Sequence, residues 1–190
     1  MNEENKKLPS HAHCVYKGDV LEVWAWDQKM YDGSTRMFET IKRPDTVDVI
    51  ATVGDKIIIE EQEQPDRPDM FLSLPGGRAD GGGDPFTEAK REFLEETGYI
   101  SDDWELWKEI FPAYRTVYSV HYFIARNCRF VQPAGPDDGE RIRVRLISFN
   151  DFLMLSDDPR FRAPELVTEL LRLRLDPEKC EAFRKLLFKK

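Results

Sequence analysis

Alternating apolar and polar positions indicate β-structure over much of the first two thirds of the chain. Strand-like runs between Ala12 and Trp26 precede the turn sequence MYDGS, which predicts a hairpin or meander. Two β-branched runs flank Gly54 and Asp55 in TVDVIATVGDKIIIEEQEQ, which predicts a second hairpin. Residues 63–70, EQPDRPDM, contain two prolines and predict a loop.

The pattern changes from strands to helices towards the end of the chain. A short apolar strand, FLSL, is followed by strand-like runs at 105–111 and 117–125, and the alternation in TVYSVHYFIA predicts a half-buried strand. The sequence RIRVRLISF predicts one more strand, after which FNDFLML, APELVTELLRLRL and PEKCEAFRKLLF have the apolar spacing of helices. Strands first with helices added predict an α+β fold with α/β/α layers.

One helix in the middle of the chain has well-marked ends and an acidic face. Asp84 followed by Pro85 is typical of a helix start, and Gly98 is typical of the residue after a helix end. At 100° per residue, one face of this helix carries carboxylates and the adjacent face is apolar. The acidic face comprises Glu88, Glu92, Glu95 and Glu96.

The acidic face is a candidate metal site because its carboxylates repel one another. Arg91 relieves only part of that repulsion, whereas a bound dication would remove it. Magnesium prefers oxygen ligands and commonly bridges carboxylates to phosphates. The glycine-rich loop from Pro75 to Gly83 lets the backbone approach a phosphate or a metal closely.

Composition and charge narrow the class of partner. The chain of 190 residues favours one globular domain, and its net charge of −8 with a pI near 5.0 argues against a nucleic-acid partner. The first ten residues, MNEENKKLPS, read as a frayed tail and not as a signal peptide, so we expect a cytoplasmic protein without a membrane partner. Three widely spaced cysteines fit reduced thiols.

The segment GGRADGGGDPFTEAKREFLEETGY resembles the Nudix box, in which a glycine, five residues and a glutamate precede seven residues and an Arg-Glu-apolar-any-Glu-Glu-any-Gly-apolar sequence. The residues in register are Gly77, Arg91, Glu92, Phe93, Glu95, Glu96, Gly98 and Tyr99. Gly83 departs from the pattern, because the family has its first glutamate there. KRPDTVDVI and LSLPGG extend a weaker similarity to the ADP-ribose pyrophosphatase branch.

The resemblance implies a Nudix-type α/β/α sandwich with a mixed sheet, an N-terminal antiparallel sheet and Mg²⁺, or Mn²⁺, as cofactor. The implied metal ligands are Gly76 through its carbonyl, Glu92, Glu95 and Glu96. The implied catalytic residues are Glu95, Arg91 as its orienting partner, and Asp138 or Glu140 as the general base. The expected substrate-binding residues are Gly77, Arg78 and Gln62.

The implied reaction is cleavage of a nucleoside diphosphate linked to another group, giving a nucleoside monophosphate and a sugar phosphate. Glu61 to Gln64 replace an Arg-Gln-aromatic-Arg run, which weakens ADP-ribose and leaves nucleotide sugars compatible. Dinucleoside polyphosphates, or nucleotide binding without catalysis, remain alternatives. We expect a homodimer paired through the antiparallel strands of residues 1–45, with residues 46–190 as the Nudix domain proper. Aromatic residues there, Trp24 among them, fit either core packing or contact with a partner or a base.

Overall fold

The computed structural model describes residues 8–79, 83–112, 115–135 and 139–189, and it shows thirteen strands and four α-helices within them. The first seven strands are β1 (His13–Lys17), β2 (Glu22–Lys29), β3 (Thr35–Lys42), β4 (Thr46–Val53), β5 (Lys56–Gln64), β6 (Arg67–Ser73) and β7 (Gly76–Arg78). Helix α1 (Pro85–Thr97) precedes β8 (Tyr99–Ile100), β9 (Asp103–Ile110), β10 (Thr116–Val117), β11 (Val120–Arg126), β12 (Arg129–Phe130) and β13 (Arg141–Ser148). The chain continues with α2 (Phe149–Met154), α3 (Pro164–Leu175) and α4 (Pro177–Leu187).

A small sheet at the N-terminal end has the strand order β1-β2-β3-β10. Strands β2 and β3 form the predicted hairpin about the MYDGS turn, pairing Lys29 with Thr35 at its end. Strand β10 runs parallel to β3. Backbone bonds from Arg43 N–H to the Val117 carbonyl and from Thr46 N–H to the Ser119 carbonyl continue this pairing into the next sheet.

The main sheet has the order β13-β5-β4-β11-β9, with β6 on β5 and β7 on β4. The hairpin predicted at Gly54 joins β4 to β5 as expected. The prediction that the run containing β11 is half-buried is wrong. Strand β11 lies between β4, to which it is parallel, and β9, to which it is antiparallel, and six of its seven residues are buried. A central strand covered on both faces has no solvent side.

The two faces of the main sheet pack against different helices. Odd positions of β5, Ile57 and Ile59, contribute to the core under α2, α3 and α4, which includes Phe152 and Leu166. The even position Ile58 contributes to the second core, under α1. This alternation follows from the two-residue period of a strand and produces helices on both faces. The predicted α+β sandwich is therefore the observed architecture.

The segment 63–70 is not the loop that its prolines predict. Strand β5 extends to Gln64, a turn follows, and β6 begins at Arg67, opposite Gln64. Strand β6 is bonded to β5 on one side, and the pairing register shifts between Gln62 and Gln64. Proline is tolerated in a strand of this kind, because an edge strand leaves some N–H positions outside the ladder.

Helix α1 begins and ends where its sequence predicts. The side chain of Asp84 accepts a hydrogen bond from the Thr87 N–H, Pro85 occupies the first turn, and Gly98 ends the helix in the left-handed conformation with φ 74°. Ala89 and Phe93 are buried against the sheet. The carboxylates of α1 therefore lie on the other side of the helix.

None of the helices in the described part of the chain combines the length and the apolar character that a membrane span needs.

Candidate active site

A polar cleft of about 700 Å³ lies beside α1, where β5 and β7 meet the segment before β13. Its lining consists of Val20, Arg43, Gln62, Gln64, Pro65, Asp66, Arg67, Gly76, Gly77, Arg78, Arg91, Glu92, Glu96, Gly139 and Glu140. Acidic groups come mainly from α1 and from the segment before β13, and basic groups come from three other places in the chain. The cleft therefore brings together residues far apart in sequence.

Arg91 joins three carboxylates of α1. Its Nη1 donates to Glu95 at 2.6 Å, its Nη2 donates to Glu92 at 2.5 Å, and its Nε donates to Glu88 at 3.0 Å. These charge-assisted bonds hold the acidic face in one arrangement. Glu95 is the most exposed of the three, with 44% of its side chain accessible, against 17% for Glu92.

Glu96 is the buried carboxylate of α1. It is 5% exposed, and its Oε2 accepts a hydrogen bond of 2.6 Å from the Gly76 N–H. Burial raises the pKa of Glu96, and the nearby carboxylate of Glu60 raises it further, while the bond from Gly76 opposes both. Burial also raises the pKa of Glu92. Without a cation, the folded protein disfavours ionisation of these two groups.

Two glycines of β7 allow close contacts, one with the neighbouring strand β4 and one with helix α1. A Cβ at Gly77 would lie 2.7 Å from Oε1 of Glu92, and one at Gly76 would lie 2.0 Å from the Val47 carbonyl oxygen. Gly76 also has φ +153°, a conformation that L side chains rarely adopt. The approach of Glu92 therefore requires glycine at position 77, and the pairing of β7 with β4 requires glycine at position 76.

Strand β5 contributes a row of polar side chains that continues the face of Ile58. Glu60 is fully buried, Gln62 is 5% exposed, and Gln64 donates to Glu140 at 3.1 Å. Burial raises the pKa of Glu60, and the charge of Glu140 adds to the effect. Glu60 was not predicted from the sequence, although its position two residues after Ile58 on a buried strand was a usable signal.

The position of the absent first glutamate of the box lies next to another carboxylate. A Cβ at Gly83 would be 3.6 Å from Oε1 of Glu88. The Glu88 side chain is 18% exposed and bonded to Arg91. The carboxylate of Glu88 therefore lies close to where the side chain of a glutamate at position 83 would begin.

The residues of this cleft fit a divalent cation. Glu60 and Glu96 place buried carboxylates near each other, and Oε1 of Glu60 has no hydrogen-bond partner among the described residues. Buried charges of one sign need a compensating partner. No three Asp, Glu, His or Cys side chains of the described ranges are grouped so that they could hold a metal ion by themselves. Magnesium keeps several waters and takes part of its ligands from substrate phosphates, so an incomplete set of protein carboxylates suits it.

Three arginines supply positive charge to the same cleft. Arg43 comes from the link between β3 and β4, Arg67 begins β6, and Arg78 ends β7. The guanidinium of Arg43 stacks 4.6 Å from the Tyr118 ring centre, and its buried Nε has no hydrogen-bond partner in the described part of the chain. These groups line the same cleft as the carboxylates and suit an anionic ligand.

The structure brings most of the predicted site residues together. The residues of the prediction that line the cleft are Gln62, Gly76, Gly77, Arg78, Arg91, Glu92, Glu96 and Glu140. Glu95 lies against Arg91 on the more exposed side of α1. Asp138 lies outside the described residues, so the choice between it and Glu140 as base stays a prediction. The roles assigned to all these residues stay predictions also.

Comparison with sequence families gives one extended match. The profile of the NUDIX domain family matches residues 42–169, which include the cleft residues from Arg43 to Glu140. The match leaves out β1, β2 and most of β3.

Individual proteins and structures are similar over most of the chain. A methanol dehydrogenase activator of Bacillus methanolicus is 25% identical over 165 residues, covering 85% of this chain and 89% of the relative. An ADP-ribose pyrophosphatase of Bacillus subtilis strain 168 is 26% identical over 145 residues, covering 74% and 78%. The crystal structure of an ADP compounds hydrolase superposes with a TM-score of 0.72 and 21% identity, covering 87% of this chain and 90% of that one. The last similarity shows a shared fold.

Proposed function

Because this chain belongs to the NUDIX domain family, we propose that it hydrolyses the diphosphate of a nucleoside diphosphate linked to a sugar, with ADP-ribose as the first candidate. The products would be a nucleoside monophosphate and a sugar phosphate. The observation that carries the proposal is the cleft itself, whose lining combines carboxylates of α1 with Arg43, Arg67 and Arg78. Such a site suits a ligand that is anionic and that brings or shares a cation.

The three arginines of the cleft supply positive charge that strand β5 lacks. Strand β5 lacks the two basic residues that the similar pyrophosphatases carry between Glu61 and Gln64. Positive charge nevertheless reaches the cleft from Arg43, Arg67 and Arg78, each on a different element. Two phosphates can be bound by cations from any direction, so we keep ADP-ribose as a candidate. The ADP-ribose pyrophosphatase relative supports the same choice.

We propose Mg²⁺, or Mn²⁺ in its place, as the cofactor. Glu92 and Glu96, with Glu95 and the Gly76 carbonyl as further ligands, would hold it. When bound, a cation of this kind neutralises charge on the diphosphate oxygens and on the leaving group.

The protein groups of the cleft would prepare the water and receive its proton. Glu140 is the described candidate base, and the bond from Gln64 fixes one of its oxygens. The water oxygen forms a bond to one phosphorus as the bridging P–O bond breaks, and the proton of the water passes to the base. Asp138 is the second candidate. Arg91 would act as a positioning residue through its bonds to Glu92 and Glu95.

We propose further that two copies of the chain pair through the N-terminal sheet, whose strands β1, β2 and β3 lie within residues 1–45. Several of its apolar side chains are exposed in the single chain, among them Tyr16 at 61%, Met37 at 68% and Ile41 at 42%. Apolar side chains gathered on one sheet are typical of a protein interface. A cytoplasmic location fits the reduced cysteines, of which Cys14 is exposed.

A substrate panel tests the proposed reaction. The purified chain is incubated with Mg²⁺ and ADP-ribose, nucleotide sugars or dinucleoside polyphosphates, in ¹⁸O-labelled water, and the products are separated and weighed by mass spectrometry. We expect AMP and ribose phosphate from ADP-ribose, with one ¹⁸O in one of the two products. Preferential cleavage of dinucleoside polyphosphates would replace the proposed substrate. If ADP-ribose binds but no product forms from any substrate, the chain is a nucleotide-binding protein and the proposed enzymatic activity is wrong.

A further inference from the structure

Glu60 is a charged residue at the most buried part of its strand. It is 0% exposed and follows Ile57, Ile58 and Ile59, all of which belong to the two apolar cores. Glutamate is rarely buried to this extent unless it is paired with a cation or coordinates a metal. No ion pair of Glu60 with a lysine, arginine or histidine occurs in the described part of the chain. Its burial therefore calls for a different partner.

The two oxygens of Glu60 have different surroundings. Oε2 accepts a hydrogen bond of 2.7 Å from the Gln62 side-chain amide and a longer contact of 3.5 Å from the Ser73 hydroxyl. Oε1 is equally buried but has no hydrogen-bond partner among the described residues. Gln62 thus fixes the orientation of the carboxylate while leaving one oxygen available.

The available oxygen belongs to the same group of charges as the acidic face of α1. Glu60 lies near enough to Glu96 and to Glu140 for their charges to act on one another. Gln62 lines the cleft beside Glu96. Strand β5 therefore places a buried carboxylate directly behind Gln62, a residue of the cleft lining.

We propose that Glu60 is a ligand of the divalent cation and offers Oε1 to it from β5. The inference rests on the proposed function, because it uses the cation that the proposed reaction requires. It adds a residue outside the Nudix box, from a different element, to the acids of α1. A cation held between a strand and a helix would also neutralise the repulsion between Glu60 and Glu96.

The competing account is that Glu60 is a neutral, structural acid whose proton is shared with a neighbouring carboxylate. In that case its removal would leave the affinity for a cation unchanged. The two accounts therefore differ in a binding constant that can be measured without substrate and without turnover.

Mn²⁺ binding measured by electron paramagnetic resonance of the free ion tests the proposal. The variants are Glu60→Gln, which removes the charge and keeps the shape, and Glu61→Gln as the matched control on the other face of β5. Glu61 is ion-paired with Arg145 at 2.7 Å, away from the cleft. We expect Glu60→Gln to weaken Mn²⁺ binding at least about tenfold and Glu61→Gln to leave it unchanged. The increase in melting temperature caused by Mn²⁺ should be smaller in Glu60→Gln than in the wild type and unchanged in Glu61→Gln.

The outcomes separate this inference from the proposed function. A wild-type chain that binds no Mn²⁺ saturably would contradict the proposed cofactor itself. Saturable binding by the wild type, with equal affinity in a folded Glu60→Gln, would overturn the role of Glu60 and leave the proposed function standing. If Glu60→Gln fails to fold, Glu60→Asp decides, because it keeps the charge but withdraws the oxygens by one methylene. Wild-type affinity in that variant would also overturn the proposal.

Discussion

Replacing Glu96 by Gln should stabilise the protein without metal while it abolishes turnover. Glu96 is 5% exposed, and burial raises its pKa from the ordinary value of 4.5. A raised pKa means that the folded chain binds this proton more tightly than the unfolded chain does. The corresponding stability is complete below pH 4.5 and is lost as the pH rises towards the raised pKa. A Gln side chain does not ionise, so the variant does not lose this stability as the pH rises.

The gain in stability of Glu96→Gln depends on the difference between the ordinary pKa of a glutamate, 4.5, and the pH of the assay. At pH 7 this interval corresponds to an upper limit of about 3 kcal/mol in the free energy of unfolding. Gln keeps the acceptor for the Gly76 N–H but introduces an amide that must find its own partners. We therefore expect a gain of about 1–3 kcal/mol at pH 7, which is about 2–4 °C of melting temperature per kcal/mol for a chain of this length.

Thermal melts in EDTA at pH 5 and pH 7, followed by circular dichroism, measure this gain, and product formation from ADP-ribose with Mg²⁺ measures turnover. The gain should be small at pH 5 and larger at pH 7, and the rate should fall at least about a hundredfold. For the melts alone, Glu95→Gln is the matched control, because it makes the same charge change on α1 at a side chain that is 44% exposed. A melting temperature at pH 7 at or below that of the wild type, or a rate within about tenfold of it, would refute this reasoning.

Three further predictions concern other parts of the molecule. Glu92→Gln should lower the turnover rate at least about a hundredfold, whereas Glu88→Gln should lower it less than about tenfold. A larger loss in Glu88→Gln would show that Glu88 takes the role of the glutamate that is absent at Gly83. Light scattering should give the mass of a dimer, and Met37→Glu, at a side chain 68% exposed, should shift it to a monomer; a monomeric wild type would contradict the proposed pairing. Arg126→Met should lower the free energy of unfolding by about 1–3 kcal/mol in urea, because it removes bonds to the Leu186 carbonyl, Asp103 and Glu105; an unchanged midpoint would contradict this role.

The features predicted correctly from the sequence are those determined by neighbouring residues. The ends of α1 follow from Asp84, Pro85 and Gly98, which act within one turn of the helix. The hairpin at Gly54 depends on a turn of two residues. Arg91, Glu92 and Glu96 meet at the cleft because the spacing of the box places them on one side of α1.

The features predicted wrongly, or missed, depend on distant partners. Prolines in 63–70 predicted a loop, but pairing with β5 made most of the segment a strand. Ser119 and His121 suggested a solvent-facing side for β11, but His121 lies 3.2 Å from Asp45 and Ser119 is 2% exposed. Glu60 was missed because its surroundings include Ser73 and Glu96, and their proximity is set by the fold.

The continuous pairing of β3 and β4 with the segment from β10 to β11 constrains how this chain can change in evolution. Residues 41–51 run beside residues 116–125 with parallel register in both sheets, joined by the backbone bonds of Arg43 and Thr46. A one-residue insertion in either partner would turn every later side chain of that strand to the opposite face. Substitutions can accumulate along this ladder, but gains and losses of residues belong in the turns, such as the one between β2 and β3.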